Sequence, residues 1–210
     1  RGVDREQFNP GRCDRDWRGS LGIADDEMVI AFLGRIVMEK GLDVFSDAID
    51  ELVERKVRHH VLVIGEGPAR GWFESRLPDA KFVGHQVGTD LARALASADV
   101  FFNPSITETF GNVTLEAMAC ELPVVAATAT GATTLVRDGQ TGLLVEPGDA
   151  DSYADALETY ARDPTLRKKH GAAGLAYAET QDWDSINSVV LRTYLRVIRR
   201  RERYARLTGR

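Results

Sequence analysis

Six short apolar runs punctuate the chain, each closed by a glycine, a proline or a polar turn. They are Met28 to Gly34, His60 to Gly65, Lys81 to Gly84, Asp99 to Pro104, Pro123 to Ala127 and Gly142 to Val145. Several are almost continuously apolar rather than alternating, which is the pattern of strands covered on both faces of a parallel sheet. From Gly41 to Val57 the spacing changes. Leu42, Phe45, Ile49, Leu52 and Val53 recur at helical intervals. Further helices are predicted over 68–77, with Pro68 in the first turn, then over 89–98 and 114–120. A short one ends at 135–137 before the Asp138-Gly139 turn. Beyond Pro147-Gly148 the pattern is helical over 150–162, 164–180 and 183–206. Strands alternating with helices predict an α/β fold: a Rossmann-like three-layer sandwich on a six-stranded, mainly parallel sheet, with added C-terminal helices. Residues 1–27 are polar and weakly periodic and read as a lead-in segment. Residues 28–182 form the sheet domain, and 183–210 a basic helix.

Composition narrows the class. A chain of 210 residues buries roughly 70% of its unfolded surface and needs no disulfides. At 43% hydrophobic and 28% charged it is too apolar for disorder. No run is long enough to span a bilayer, and the first residues read as no signal region. Cys13 and Cys120 lie far apart without metal-like spacing and fit a reducing cytoplasm. The net charge of −5 is uneven: from Arg192 onward there are eight arginines and one acid, +7, leaving −12 for the rest. That balance excludes a uniformly basic nucleic-acid binder. An anionic ligand must be held by a few local cations or helix ends.

In such sheets ligands bind beyond the carboxyl ends of the strands. After the first strand come Gly34, Arg35 and Lys40, where a phosphate would meet side chains and backbone N–H groups together. After the fourth come Glu108, Phe110, Gly111, Asn112, Val113, Thr114 and Glu116. Gly111 suits unusual backbone angles, and Asn112 is the expected N-cap of the following helix. A carboxylate there accepts from vicinal sugar hydroxyls, and the helix start offers N–H groups to a diphosphate. Gly65-Glu66-Gly67-Pro68 and Gly84-His85 are glycine turns that would let a base or ribose approach the backbone. His85 taken alone reads as a surface-loop residue. Gly-x-Gly-x-x-Gly, Walker and nucleophile-elbow motifs are missing, as is any metal-binding spacing.

Taken in order, Gly34-Arg35 with Glu39-Lys40-Gly41, Gly65-Glu66-Gly67-Pro68, Phe82-Val83-Gly84, Pro104-Ser105 with Glu108-x7-Glu116-Ala-Met-Ala, and Asp138-Gly-x-Thr-Gly-Leu-Leu-Val145 form one set. That set resembles the C-terminal, donor-binding half of retaining glycosyltransferases of family 4, the group 1 glycosyl transferases of GT-B architecture. The likeness runs from about Arg1 to Trp183. It implies a preceding N-terminal acceptor domain, with residues 1–27 following the linker. It also implies that Arg35 and Lys40 bind the donor diphosphate and that Glu116 takes the ribose hydroxyls. Glu108 contacts the donor sugar, near Phe110, Gly111 and Asn112. Val113 and Thr114 lend N–H groups, and Gly84 and His85 flank the base. Glu108, Arg35 and Lys40 are then the catalytic residues, with neither metal nor cofactor. Two positions depart from the family pattern. Thr130-Gly131-Ala-Thr133-Thr134 stands where Gly-Gly-x-Pro-Glu is usual, and Glu121 replaces a small residue.

The resemblance implies transfer of a hexose from a UDP- or GDP-sugar to a lipid or glycan by the full-length enzyme, with this chain alone inactive. A sugar-nucleotide epimerase of the same architecture and a non-catalytic nucleotide-binding module are the alternatives. The last helix has an apolar face, Ile186, Val189, Val190, Leu191, Tyr194, Leu195 and Ile198, and an Arg-rich end. In the family such a helix crosses back to the N-terminal domain. Its arginines also suit a peripheral contact with anionic lipid at the inner membrane face.

Overall fold

The computed structural model describes residues 2–107, 111–129, 131–181 and 183–208, without the side chains of 184–186 and 201–208. The expected site residues Glu108 and Phe110, and the departure at Thr130, lie outside the described residues.

The first regular elements fall where the hydrophobic pattern predicts none. After a 3-10 turn at Pro10–Arg12 comes α1 (Arg15–Ser20), capped by the Asp14 carboxylate, which accepts from the Trp17 N–H. This segment is short and polar, so no periodicity announces it. Val3, Phe8 and Ile23 nevertheless sit in the main core. Arg18 is buried and ties the segment down: it donates to Asp99 Oδ2 at 2.9 Å and to the carbonyls of Ser97, Ala24 and Glu27.

The remaining elements follow the predicted order: β1 (Val29–Leu33), α2 (Leu42–Glu54), β2 (His60–Ile64), α3 (Arg70–Arg76), β3 (Lys81–Gly84), α4 (Gly88–Ala96), β4 (Val100–Asn103), α5 (Asn112–Ala119), β5 (Val124–Ala127), β6 (Gly142–Val145), α6 (Ala150–Arg162), α7 (Pro164–Ala178) and α8 (Trp183–Thr208). Two expectations need correction. Pro68 stands outside its helix: the Ala69 N–H donates to the Ile36 carbonyl, so α3 starts only at Arg70. The short helix expected to end at 135–137 is a single 3-10 turn, Ala132–Thr134.

All six strands pair in parallel, in the order β3-β2-β1-β4-β5-β6. Successive residues of β1 point to opposite layers, as the pleat requires. Ile30 and Phe32 face α2, α3 and α6, where Phe32, Phe45 and Phe73 meet edge to face and Phe45 stacks on Phe102 at 4.6 Å. Val29 and Ala31 face the other layer, with Leu95, Leu115, Met118 and the lead-in. The fold is therefore the predicted three-layer sandwich. The strand order reverses at β1 and β4, which places a crevice at their carboxyl ends.

Candidate donor site

Gly34 and Arg35 leave β1, Glu66 leaves β2, His85 leaves β3, and α5 begins beyond β4. Together they wall a cleft of about 410 Å³, lined by Leu33, Gly34, Arg35, Ile64, Gly65, Glu66, His85, Gln86, Leu91, Val113 and Glu116. It is an apolar floor with a cation and a carboxylate at its edge. A groove of about 470 Å³ at the opposite end of the sheet, near Val53, His59 and Pro78, holds none of the motif residues.

Five of the expected residues thus come together: Gly34, Arg35, His85, Val113 and Glu116. Arg35 is exposed and has no ion pair among the described residues. Its charge is therefore directed to solvent and cleft rather than spent on a neighbour. His85, which alone reads as a surface residue, forms part of the wall. Lys40 does not line this cleft. It ends a 3-10 turn, Met38–Lys40, whose Glu39 carbonyl accepts from Thr107 Oγ1 at 3.1 Å, so the loops after β1 and β4 are tied together. Gly84, Gly111, Asn112 and Thr114 also lie outside the lining. Gln86 and Leu91 line it without any motif announcing them. Leu91 belongs to the helical spacing of α4, the only sequence signal that pointed to it.

The glycines do work other than the one expected at two positions. A Cβ on Gly65 would lie 1.9 Å from the Gly34 carbonyl oxygen, and one on Gly67 would lie 2.2 Å from that of Ile36. These residues let the β1 and β2 loops pack against each other, and Gly65 also lines the cleft. The Ile36 N–H donating to the Glu66 carbonyl holds them there. Gly84 (φ 73°) is left-handed, and a Cβ there would sit 3.1 Å from Glu66 Oε1. That carboxylate is paired with Arg70.

The N-cap of α5 is Gly111, not Asn112. Its φ of 65° and ψ of 28° are left-handed, and no side chain caps the helix. Asn112 is instead the first helical residue. A left-handed cap turns the chain sharply out of the β4 loop, which an asparagine in extended geometry would not do. Gly111 is also crowded, since its Cβ would meet Leu135 Cδ1 at 2.7 Å. We expect Gly111→Ala to lower the unfolding free energy by about 1–2 kcal/mol from left-handed strain alone, plus repacking of Leu135. Gly139→Ala shares the strain (φ 66°) in open space, so urea midpoints of the two variants separate the terms.

Glu116 sits on the first turns of α5 against Val113, Leu33 and Ile64. Burial pushes its carboxyl up to about 7. A carboxylate kept in an apolar wall without a cationic partner among the described residues has the profile of a ligand-binding group. One turn on, Cys120 is buried and its thiol is pushed up to about 12, by burial first and by the Glu116 charge second. It is packing, not a nucleophile. The departure after β5 is satisfied locally: Thr134 Oγ1 donates to the Gly131 carbonyl at 2.8 Å, and Thr133 Oγ1 to that of Ala129 at 3.2 Å.

With this geometry in view, the comparisons agree. The Glycosyl transferases group 1 family matches residues 27–163. A D-inositol 3-phosphate glycosyltransferase of Actinosynnema mirum is 39% identical over 97% of this chain and 53% of its own length. The sulfoquinovosyl transferase SQD2 of Arabidopsis thaliana is 36% identical over 87% of this chain and 36% of its own. The chain thus spans about half the length, or less, of these curated relatives. Among solved structures, Anabaena Alr3699/HepE in complex with UDP superposes with a TM-score of 0.81 at 26% identity, covering 92% of this chain and 55% of that one. The C-terminal domain of a group 1 glycosyl transferase, LpcC of Francisella tularensis, superposes at 0.74 and 26% identity, over 86% of this chain and 98% of that one. A cleft at the carboxyl ends of β1, β2 and β3, the matched family and the superposed half-molecules converge: this chain belongs to the group 1 glycosyl transferases and has the Rossmann-like fold of the C-terminal half of GT-B enzymes.

Proposed function

We propose that this chain is the donor-binding half of a retaining hexosyltransferase that uses a UDP-sugar, and that the acceptor, a glycan or a lipid, is held by the rest of the enzyme. The cleft carries this reading: Arg35, a cation with no ion pair among the described residues, and the half-buried carboxylate of Glu116 share its lining with Val113 at the start of α5. A nucleoside diphosphate presents the complementary groups. Its diphosphate meets Arg35 and the α5 amino terminus, its ribose hydroxyls donate to Glu116, and its base lies toward Gly84, His85 and Gln86. Lys40 adds positive charge from the adjoining turn, and Glu108 is assigned to the donor sugar.

In the transfer, the bond from the anomeric carbon to the diphosphate oxygen breaks and negative charge grows on the leaving diphosphate. Preorganised N–H groups and Arg35 stabilise that charge, which is the main contribution this half makes. The acceptor hydroxyl attacks from the same face and gives its proton to the departing phosphate. Arg35 and the helix end supply the charge stabilisation that a divalent cation supplies elsewhere, so we assign no metal or cofactor. Without acceptor contacts, the 210 residues alone bind donor and do not transfer it. The preference for uridine is supported by the UDP and UDP-glucose complexes of HepE. The exposed free thiol of Cys13 suits a reducing cytoplasm.

Thermal unfolding with UDP, UDP-hexoses and GDP tests this. A ligand at 100 times its dissociation constant adds about 2.7 kcal/mol. UDP should stabilise more than GDP. No shift with any nucleoside diphosphate, by melting or calorimetry, ends the donor reading.

A further inference from the structure

Lys40 stands outside the cleft lining, yet the turn that carries it is held by the loop after β4. Two contacts hold it, one on each side of Lys40. On one side Gly41 is left-handed (φ 71°), and a Cβ there would lie 3.2 Å from the Pro104 carbonyl oxygen and 3.4 Å from Pro104 Cγ. The two backbones therefore pack with no side chain between them. On the other side Thr107 Oγ1 donates to the Glu39 carbonyl at 3.1 Å, 68 residues away in the chain. A threonine hydroxyl has one proton. With that proton given to Glu39, the Thr107 oxygen is left to accept, and Ser105 Oγ stands 3.4 Å away. Ser105 is buried, and its N–H donates at 3.2 Å to Asn103 Oδ1 at the end of β4. A run of polar contacts thus links the end of β4 to the turn after β1. Thr107 is exposed. Threonines in such loops usually bond their own neighbouring backbone; this one reaches a remote segment instead.

Resting on the donor reading above, we propose that Thr107 is a positioning residue of the diphosphate subsite. It locks the turn carrying Lys40 to the loop that leads into α5, and so fixes the separation of the two segments assigned to the diphosphate. Thr107 acts through Glu39 and touches no ligand itself. The turn needs this support. Met38–Lys40 is one 3-10 turn of three residues, and 3-10 hydrogen bonds have poorer geometry than α-helical ones. A long lysine side chain holds a phosphate only as firmly as the backbone behind it is held.

Calorimetry of UDP binding to the 210-residue protein, with UMP read by its displacement of UDP, tests the lock, because only UDP carries the second phosphate. Thr107→Val keeps the shape and removes the donor. It should weaken UDP by about tenfold and UMP by less than about twofold, the scale of one loosened contact to a charged group. Thr107→Ser restores the hydroxyl and should restore UDP affinity. The position is exposed, so the melting temperature without ligand should stay put in both variants. A merely structural role would lower that temperature and weaken UDP and UMP together. Unchanged UDP affinity in the valine variant, equal losses for UDP and UMP, or no rescue by serine overturns the lock and leaves the donor site standing. No UDP binding by the wild-type protein overturns the donor reading itself, and the lock with it.

Discussion

Glu116→Gln is expected to make the protein more stable and a poorer nucleotide binder at the same time. Burial raises the folded-state carboxyl to about 7 from an ordinary 4.5. A group whose folded pKa is raised contributes its stability below the unfolded value and loses it as pH climbs through the folded one. Between about pH 4.5 and 7 the wild-type protein therefore loses stability, to a total of roughly 3 kcal/mol. Glutamine has no charge to desolvate. The variant should match wild type near pH 4 and exceed it by up to that amount at pH 8, in urea denaturation at each pH. Its UDP affinity should fall by roughly 1.5–3 kcal/mol, the worth of hydrogen bonds to a charged group. Wild-type affinity should rise with pH through about 7, because ribose hydroxyls donate to the ionised form, while the variant's stays flat. A destabilised variant at pH 8 contradicts the desolvation argument. Unchanged UDP affinity contradicts the ribose role and leaves the stability result standing.

Arg18→Ala should lower the unfolding free energy by about 3–5 kcal/mol, the usual cost of removing one partner from a buried ion pair. The guanidinium holds Asp99 and three carbonyls at once. Asp99 Oδ2 in turn accepts from the Val29 N–H at 2.9 Å at the start of β1. Losing the arginine leaves that half-buried carboxylate with only Arg167, at 3.8 Å, as a cationic partner among the described residues, and takes the anchor from Val3, Phe8 and Ile23. Against a typical domain stability of about 5–15 kcal/mol, this is a fifth or more of the total. Arg18→Met keeps much of the stem and should recover part of the packing but not the hydrogen bonds. A loss under about 1 kcal/mol in the alanine variant would show that residues 1–27 are an appendage, with their burial incidental.

Much of this molecule was legible from order alone. Runs such as Met28 to Gly34 and His60 to Gly65 have to be buried on both faces, and only a parallel sheet with helices in between does that. Gly34, Arg35, Val113 and Glu116 stand just after strands, where such sheets bind ligands, so their convergence followed from topology. The lead-in escaped notice because its contacts are long-range: Arg18 and Asp99 are far apart in the chain, and Val3, Phe8 and Ile23 have no local period. The packing of Gly65 and Gly67 against the Gly34 and Ile36 carbonyls escaped notice for the same reason. A glycine announces a close approach, but not of what.

The sequence by itself determined the six strands, their parallel sense and the end of the sheet where the candidate cleft lies, because hydrophobic periodicity and glycine punctuation are local properties. Only the tertiary structure decided which residues share the cleft. It excluded Lys40 from the lining, admitted Gln86 and Leu91, and moved the cap of α5 to Gly111. It also half-buried Glu116 against the cleft, which pushes its carboxyl up to about 7. These are matters of distance and desolvation between segments remote in the chain, and no local pattern encodes them.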